Sequence, residues 1–104
     1  MSIDKQVALV TGASRGIGQA IALNLGAVGA SVIGTATSEK GAEKITAYMQ
    51  EAGIKGQGMV LNVTDNESID ALLKAMQESY SMPDILVNNA GITRDTLLMR
   101  MKDD

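Results

Sequence analysis

The apolar residues along this 104-residue chain follow two alternating spacings. Short apolar runs are typical of strands buried on both faces, and apolar positions repeated every three or four residues are typical of amphipathic helices. The runs predict four strands, at residues 7–10, 31–36, 57–63 and 84–89. The stretches between them predict three helices, which begin near Ile17, at Glu39 and after Thr64. Strand and helix therefore alternate, which is typical of a parallel sheet.

Capping residues mark the ends of the predicted helices. Ser38 is expected to cap the second helix, which Gly53 ends. Thr64 and Glu67 have the spacing of a capping box, so Thr64 is expected at the N-cap of the third helix. The first helix is predicted from an apolar pattern of helical period: Ile17, Ala20, Ile21, Leu25 and Val28.

The order of the strands is predicted from the doubly wound arrangement of parallel sheets. Crossovers between parallel strands are nearly always right-handed, and the doubly wound arrangement of four strands then has the order 3-2-1-4. Its ligand crevice lies at the carboxyl ends of strands 1 and 4, where the order reverses. The sequence therefore predicts one α/β domain over residues 1–104, with residues 12–18 beside residues 89–91.

Three glycines, Gly12, Gly16 and Gly18, stand between the first strand and the first helix. Strand, glycine turn and helix together present backbone N–H groups and a helix N-terminus to a phosphate. The spacing G-x-x-x-G-x-G differs from the standard G-x-G-x-x-G fingerprint, and no P-loop lysine follows. Glycines in such a turn also allow a helix to pack closely on a strand. The spacing alone leaves both interpretations open.

The composition narrows the chemistry that the chain can support. Its net charge of −3 gives no electrostatic reason to expect nucleic acid or an acidic membrane surface as a partner. Because the chain has no cysteine and no histidine, it lacks the commonest metal ligands, and no metal is expected. No apolar run suits a membrane span or a signal peptide, so the expected location is the cytoplasm.

Two motifs together resemble those of one protein family. Residues 11–18, T-G-A-S-R-G-I-G, and residues 88–91, N-N-A-G, resemble the cofactor motif and the fourth-strand motif of the short-chain dehydrogenases/reductases. The resemblance is greatest to bacterial reductases that act on 3-oxoacyl groups carried by acyl carrier protein, and residues 33–38, 61–65 and 84–101 carry it. It implies a Rossmann-like fold, and all 104 residues match the N-terminal part of a family member.

The same resemblance implies a set of residues that bind a nicotinamide cofactor. They are Gly12, Ser14, Arg15, Gly16, Ile17, Gly18, Thr37, Asn62, Val63, Asn89, Ala90, Gly91 and Ile92. The three glycines would form the turn around the diphosphate, and the residues from Asn89 onward would lie near the ribose and nicotinamide. Asn62 and Val63 would border the adenine, although Asn62 equally suits a strand end that precedes a helix cap.

Arg15 and Thr37 bear on which nicotinamide cofactor is bound. Thr37 follows the second strand, where an NAD enzyme holds the ribose 2′-hydroxyl with an acidic residue, and residues 35–38 contain no acid. A neutral hydroxyl beside a guanidinium suits a 2′-phosphate. The expected cofactor is therefore NADPH. Considered by itself, Arg15 would also fit an exposed cation at a loop tip.

The resemblance implies hydride transfer to the 3-oxo group of an acyl chain on acyl carrier protein, by a homotetramer. The family's catalytic Ser, Tyr-x-x-x-Lys pair and Asn come from later segments, so we assign no catalytic residue and expect the 104 residues alone to be inactive. Tyr48 and Tyr80 have no lysine four residues later and are expected to pack in the core. The alternatives are a reductase of 3-oxoacyl-CoA and a nucleotide-binding fragment without catalysis.

The apolar side chains among residues 97–101 have no following strand to cover them. The fourth strand would likewise form an uncovered edge of the sheet, and such edges promote association. We therefore expect the chain to belong to a longer polypeptide or to depend on other copies.

Overall fold

The computed structural model describes residues 6–62, 65–80 and 83–89 of the chain. These residues form one parallel sheet and the helices that connect its strands. In chain order the elements are β1 (Val7–Thr11), α1 (Gly16–Ala27), β2 (Ser31–Ala36), α2 (Glu39–Glu51), β3 (Gly56–Val60), α3 (Asn66–Ser79) and β4 (Ile85–Asn88). The sheet has the order β3-β2-β1-β4, and every pair is parallel. This confirms the predicted doubly wound α/β sheet with strand order 3-2-1-4.

The sheet is buried most deeply at its centre. Every residue of β1 is buried, and in β2 only Ser31 is partly exposed. The outer strands, β3 and β4, contain no fully buried residue. Central strands have neighbours on both sides and helices on both faces, which is why β1 and β2 are rich in buried apolar residues.

The helices cover the two faces of the sheet with separate apolar clusters. On one face, α3 packs against Leu9 and Ile33 through its buried residues Ile69, Leu72, Leu73 and Met76. On the other face, α1 and α2 pack against Ala8, Val10 and Val32. Successive residues of a strand point to opposite faces, so β1 and β2 contribute to both clusters. Among the described residues, no helix is long and apolar enough to cross a membrane.

The buried face of α1 is narrower than the apolar positions predict. Its buried residues are Gly18 and Ala22, whose small side chains let the helix lie close to the sheet. Ile17 is 72% exposed and Val28 is 54% exposed, so these apolar positions do not face the sheet. Ala20 is exposed as well. The apolar period alone could not show that this helix contacts the sheet through its smallest residues.

The N-cap of α3 is Asp65, so the prediction of Thr64 was wrong by one residue. The Asp65 carboxylate accepts a hydrogen bond of 2.9 Å from the Glu67 N–H. A charged acceptor forms a stronger bond than a hydroxyl, which favours the aspartate as the cap. Thr64 itself lies outside the described residues. For α2 the prediction is confirmed, because the Ser38 hydroxyl accepts from the Gly41 N–H at 3.1 Å.

The third and fourth strands are shorter than predicted. β3 ends at Val60, and Leu61 follows it as a buried residue whose N–H donates to the Ala36 carbonyl at 2.8 Å. β4 begins after Asp84, whose carboxylate accepts from the Val7 N–H at 2.9 Å. The Asp84 side chain thus accepts the hydrogen bond of the first N–H of β1, in place of a backbone carbonyl from a neighbouring strand.

Candidate functional site

A groove of about 510 Å³ opens at the carboxyl ends of the strands, beside the glycine turn. The predicted cofactor residues that line it are Gly12, Ser14, Arg15, Gly16, Ile17, Thr37 and Asn89. Thr35, Ala36 and Leu61 line it too, although the sequence analysis did not single them out. The strand order alone brings residues this far apart in sequence to one edge of the sheet.

The other predicted residues lie elsewhere. Gly18 is buried behind the groove, and Asn62 is exposed just after β3 without lining it. The Asn62 N–H donates to the Ser68 hydroxyl at 2.9 Å, which suits the alternative of a strand end that prepares a helix. The remaining predicted residues, Val63, Ala90, Gly91 and Ile92, lie outside the described residues.

Hydrogen bonds from three elements hold the start of the glycine turn. From β2, Thr35 accepts the Gly12 N–H on its hydroxyl at 3.2 Å and the Ala13 N–H on its carbonyl at 2.8 Å. From the end of β4, the Asn89 side chain donates to the Gly12 carbonyl at 3.1 Å. From α2, the Tyr48 hydroxyl donates to the Ala13 carbonyl at 2.7 Å. The backbone of the turn is therefore fixed by the protein itself.

Two glycines of the turn serve different purposes. Gly16 has a φ of +63°, which L side chains rarely adopt, and a Cβ built there would meet nothing within 4 Å. A Cβ on Gly18 would collide with the Gly12 carbonyl oxygen and lie 2.8 Å from the Asn89 Nδ2. The space beside Gly16 is thus open to a ligand, while Gly18 permits close packing. The close-packing interpretation therefore holds for Gly18, and the open space beside Gly16 is compatible with the phosphate interpretation, which stays a prediction.

The N-terminus of α1 differs from those of the other two described helices. Its N-cap residue is Arg15, which makes no side-chain cap hydrogen bond, and its first turn contains no acidic residue. In contrast, Ser38 and Asp65 cap α2 and α3. The first N–H groups of a helix have no acceptor within it and carry partial positive charge. At α1 these donors lie at the groove, where they suit an anion such as a phosphate.

Positive side chains border the same region. A second groove, of about 680 Å³, shares Ser14, Arg15 and Thr37 with the first. Lys40 and Lys44 line its far side, together with one carboxylate from α2. The cations outnumber the carboxylate, so this end of the groove favours a negatively charged group. No cluster of histidine, cysteine or carboxylate side chains in the described ranges is placed to hold a metal ion.

Thr11 ties β1 to β4 at the point where the strand order reverses. Its fully buried hydroxyl accepts from the Asn89 N–H at 2.9 Å and lies 3.3 Å from Asn88 Oδ1 and 3.4 Å from the Val87 carbonyl oxygen. In the sequence, Thr11 stands out only as the first residue of the motif at residues 11–18. Its position at the end of the central strand was the available signal for this role.

Tyr48 does more than pack in the core. Its ring contacts the apolar cluster beneath α1 and α2, as the helical spacing predicts, but its hydroxyl bonds to the glycine turn. Burial raises the pKa of this phenol to about 12. Tyr80, in contrast, packs against the cluster on the α3 face, as predicted.

A doubly wound sheet with a glycine turn at its switch point is typical of α/β proteins that bind dinucleotides. Comparison with protein families agrees, since the model of the short chain dehydrogenases matches residues 6–104. The chain therefore belongs to the short-chain dehydrogenase family, as the two motifs indicate.

Curated relatives are similar to the whole chain. The 3-oxoacyl-[acyl-carrier-protein] reductase FabG of Pseudomonas aeruginosa is 62% identical over 104 residues, which are 100% of this chain and 42% of that protein. The enzyme of the same name from Haemophilus influenzae is 65% identical over 99 residues, 95% of this chain and 40% of that protein. For the Escherichia coli enzyme the identity is 59%, over 100% of this chain and 41% of that protein. The chain thus spans about two fifths of the length of these relatives.

Proposed function

We propose that this chain is the cofactor-binding part of an NADPH-dependent reductase that transfers hydride to the 3-oxo group of an acyl chain on acyl carrier protein. The observation that carries the proposal is the groove beside Gly16, where an open glycine turn meets an uncapped helix N-terminus. The names of the relatives support the substrate class, since each is called a 3-oxoacyl-[acyl-carrier-protein] reductase.

The cofactor-binding roles are proposed residue by residue. NADPH, when bound, supplies the hydride. The N–H groups from Ser14 to Gly18 would hold its diphosphate, because the turn and the start of α1 leave these donors available. Gly12 and Gly18 would shape that turn. Asn62 and Val63 would border the adenine, and Asn89, Ala90, Gly91 and Ile92 would lie near the ribose and nicotinamide.

The preference for NADPH rests on charge at the end of β2. Arg15 and Thr37 line both grooves, and Lys40 lies across the second one. The first residues after β2 include no acid that would bind a 2′-hydroxyl and repel a 2′-phosphate. A guanidinium beside a hydroxyl is a good partner for a phosphate monoester, so NADPH is favoured over NADH.

The catalytic residues are proposed to lie outside this chain. Neither tyrosine has a lysine four residues later, because Ala52 and Asp84 stand at those positions. The 104 residues alone should therefore show no turnover. The homotetramer and the cytoplasmic location are proposed on the same family resemblance, and sedimentation and cell fractionation test them.

A two-stage experiment tests the proposal on the polypeptide that contains this chain. Fluorescence titration with NADPH and NADH measures cofactor binding, and tighter binding of NADPH is expected. Oxidation of NADPH is then followed with the same 3-oxoacyl group on acyl carrier protein and on coenzyme A. A higher kcat/KM for the carrier-protein thioester is expected. A preference for coenzyme A would favour the alternative reductase, and binding without turnover would favour a nucleotide-binding protein.

A further inference from the structure

One hydroxyl connects α2 to the backbone of the glycine turn. Tyr48, in the second half of α2, donates a hydrogen bond of 2.7 Å to the carbonyl oxygen of Ala13, 35 residues earlier. The distance is ordinary for an O–H···O hydrogen bond, and the ring is packed in the cluster beneath α1 and α2. A phenol with the usual pKa of 10.0 already keeps its proton at neutral pH, and burial raises the pKa of Tyr48 further, to about 12, so the hydroxyl remains a donor.

This bond fixes the orientation of one peptide plane. The carbonyl of Ala13 and the N–H of Ser14 belong to the same planar trans peptide, so they point in opposite directions. With the carbonyl held toward α2, the Ser14 N–H points away from α2. Ser14 lines both grooves, and its N–H donates to no acceptor among the described residues.

The preceding peptide plane is held by other residues. The Gly12 carbonyl accepts from Asn89 and the Ala13 N–H donates to Thr35, so both ends of that plane are bonded. Among the described residues, the Tyr48 hydroxyl is the group that bonds to the peptide plane between Ala13 and Ser14. Loss of the hydroxyl would therefore release this plane while leaving the rest of the turn in place.

We propose that Tyr48 is a positioning residue of the cofactor site, which acts through Ala13 to aim the Ser14 N–H at the cofactor diphosphate. Tyr48 itself touches neither the cofactor nor the reacting atoms. The inference rests on the proposed function, because it assumes that the groove holds a dinucleotide. It predicts that removing the hydroxyl weakens binding of ligands that contain the diphosphate and spares those that lack it.

The test compares Tyr48→Phe with a control on the same helix. Thr46 donates to the Ala42 carbonyl at 3.1 Å and accepts from the Gly58 N–H at 2.8 Å, on the β3 side of α2. Thr46→Val therefore removes side-chain hydrogen bonds from α2 without touching the turn. Binding of NADPH, 2′-phospho-ADP-ribose and adenosine 2′-monophosphate is measured for the wild type and both variants. Only the last of these ligands lacks the diphosphate.

Tyr48→Phe is expected to raise the Kd of NADPH and of 2′-phospho-ADP-ribose about fivefold, which corresponds to one hydrogen bond. The Kd of adenosine 2′-monophosphate should stay within about twofold, since no diphosphate contact is lost. The KM for NADPH should rise with kcat unchanged, as expected when the lost contact is equally strong in the ground state and the transition state. Thr46→Val should lower the denaturation midpoint and leave all three Kd values unchanged.

Several results would overturn the inference. The first is an unchanged Kd of NADPH and 2′-phospho-ADP-ribose in Tyr48→Phe. The second is an equally large rise in the Kd of adenosine 2′-monophosphate in that variant. The third is an equally large rise in the Kd of NADPH in Thr46→Val. If Tyr48→Phe does not fold, hydrogen exchange of the wild-type Ser14 amide gives the answer. Slower exchange with 2′-phospho-ADP-ribose than with adenosine 2′-monophosphate supports the inference, and equal exchange contradicts it. A wild type that binds no dinucleotide would overturn the proposed function itself.

Discussion

The side-chain amide of Asn89 donates a hydrogen bond of 3.1 Å to the carbonyl oxygen of Gly12, 77 residues earlier in the chain. The backbone N–H of Asn89 donates to the Thr11 hydroxyl at 2.9 Å. The end of β4 is thus joined to the last residue of β1 and to the first residue of the turn. Gly18 packs against this junction, because a Cβ there would lie 2.8 Å from Asn89 Nδ2.

Gly18→Ala should disrupt this junction and weaken cofactor binding. The new methyl group collides with the Gly12 carbonyl, and backbone cannot move aside as cheaply as a side chain. We expect a loss of about 1–3 kcal/mol in the free energy of unfolding, together with weaker NADPH binding. Urea denaturation and fluorescence titration measure the two effects. In the control, Gly26→Ala, the atoms nearest to the methyl belong to the Ile54 side chain and not to the turn, so NADPH affinity should stay normal.

Gly16→Val should leave a folded protein that does not bind NADPH. The branched side chain would fill the open space beside the turn that the diphosphate is proposed to occupy. The positive φ also adds strain of about 1–2 kcal/mol. Gly53→Val is the matched control, since Gly53 has a φ of +71° and open surroundings at the end of α2. Similar destabilisation but normal NADPH binding is expected for Gly53→Val, and normal binding by Gly16→Val would refute the assignment of the phosphate site.

Thr37→Asp should shift cofactor preference toward NADH. A carboxylate at this exposed position would repel a 2′-phosphate and accept a hydrogen bond from a 2′-hydroxyl. We expect the ratio of the Kd values for NADPH and NADH to rise at least about tenfold, and parallel titrations measure it. Thr37→Asn, a neutral variant of the same shape, should shift the ratio far less. Equal or tighter binding of NADH by the wild type would contradict the proposed preference.

The raised pKa of Tyr48 predicts a specific loss of stability in alkali. Burial raises the folded-state pKa from 10.0 to about 12, so between these pH values the folded protein keeps a proton that the unfolded chain has lost. Because the folded state binds more protons than the unfolded state in this window, the free energy of unfolding should fall as pH rises. Lysines titrate there too, so the measured quantity is the difference between wild type and Tyr48→Phe. That difference should shrink from pH 10 to pH 12, and a constant difference would contradict the prediction.

The sequence by itself determined the order and type of the elements. Residues 31–36 form β2 as predicted, because a short stretch rich in apolar and β-branched residues is a local feature that the sequence shows directly. Ser38 caps α2 because its hydroxyl reaches an N–H three residues away, which the neighbouring sequence is enough to show. The predicted strand order, which the structure confirms, came from the doubly wound arrangement together with right-handed crossovers. The two motifs likewise identified the family.

The tertiary structure alone decided which residues contact one another across the fold. The apolar period of α1 includes Ile17, which is exposed, because the helix contacts the sheet through the small residues Gly18 and Ala22. The separate purposes of Gly16 and Gly18 depend on what lies within a few ångströms of each, and the sequence does not contain that distance. Tyr48 follows an ordinary helical spacing, yet its hydroxyl meets Ala13 only when α2 packs across the sheet. Periodicity and capping act over a few residues, whereas a hydrogen bond across the fold requires elements brought together by packing.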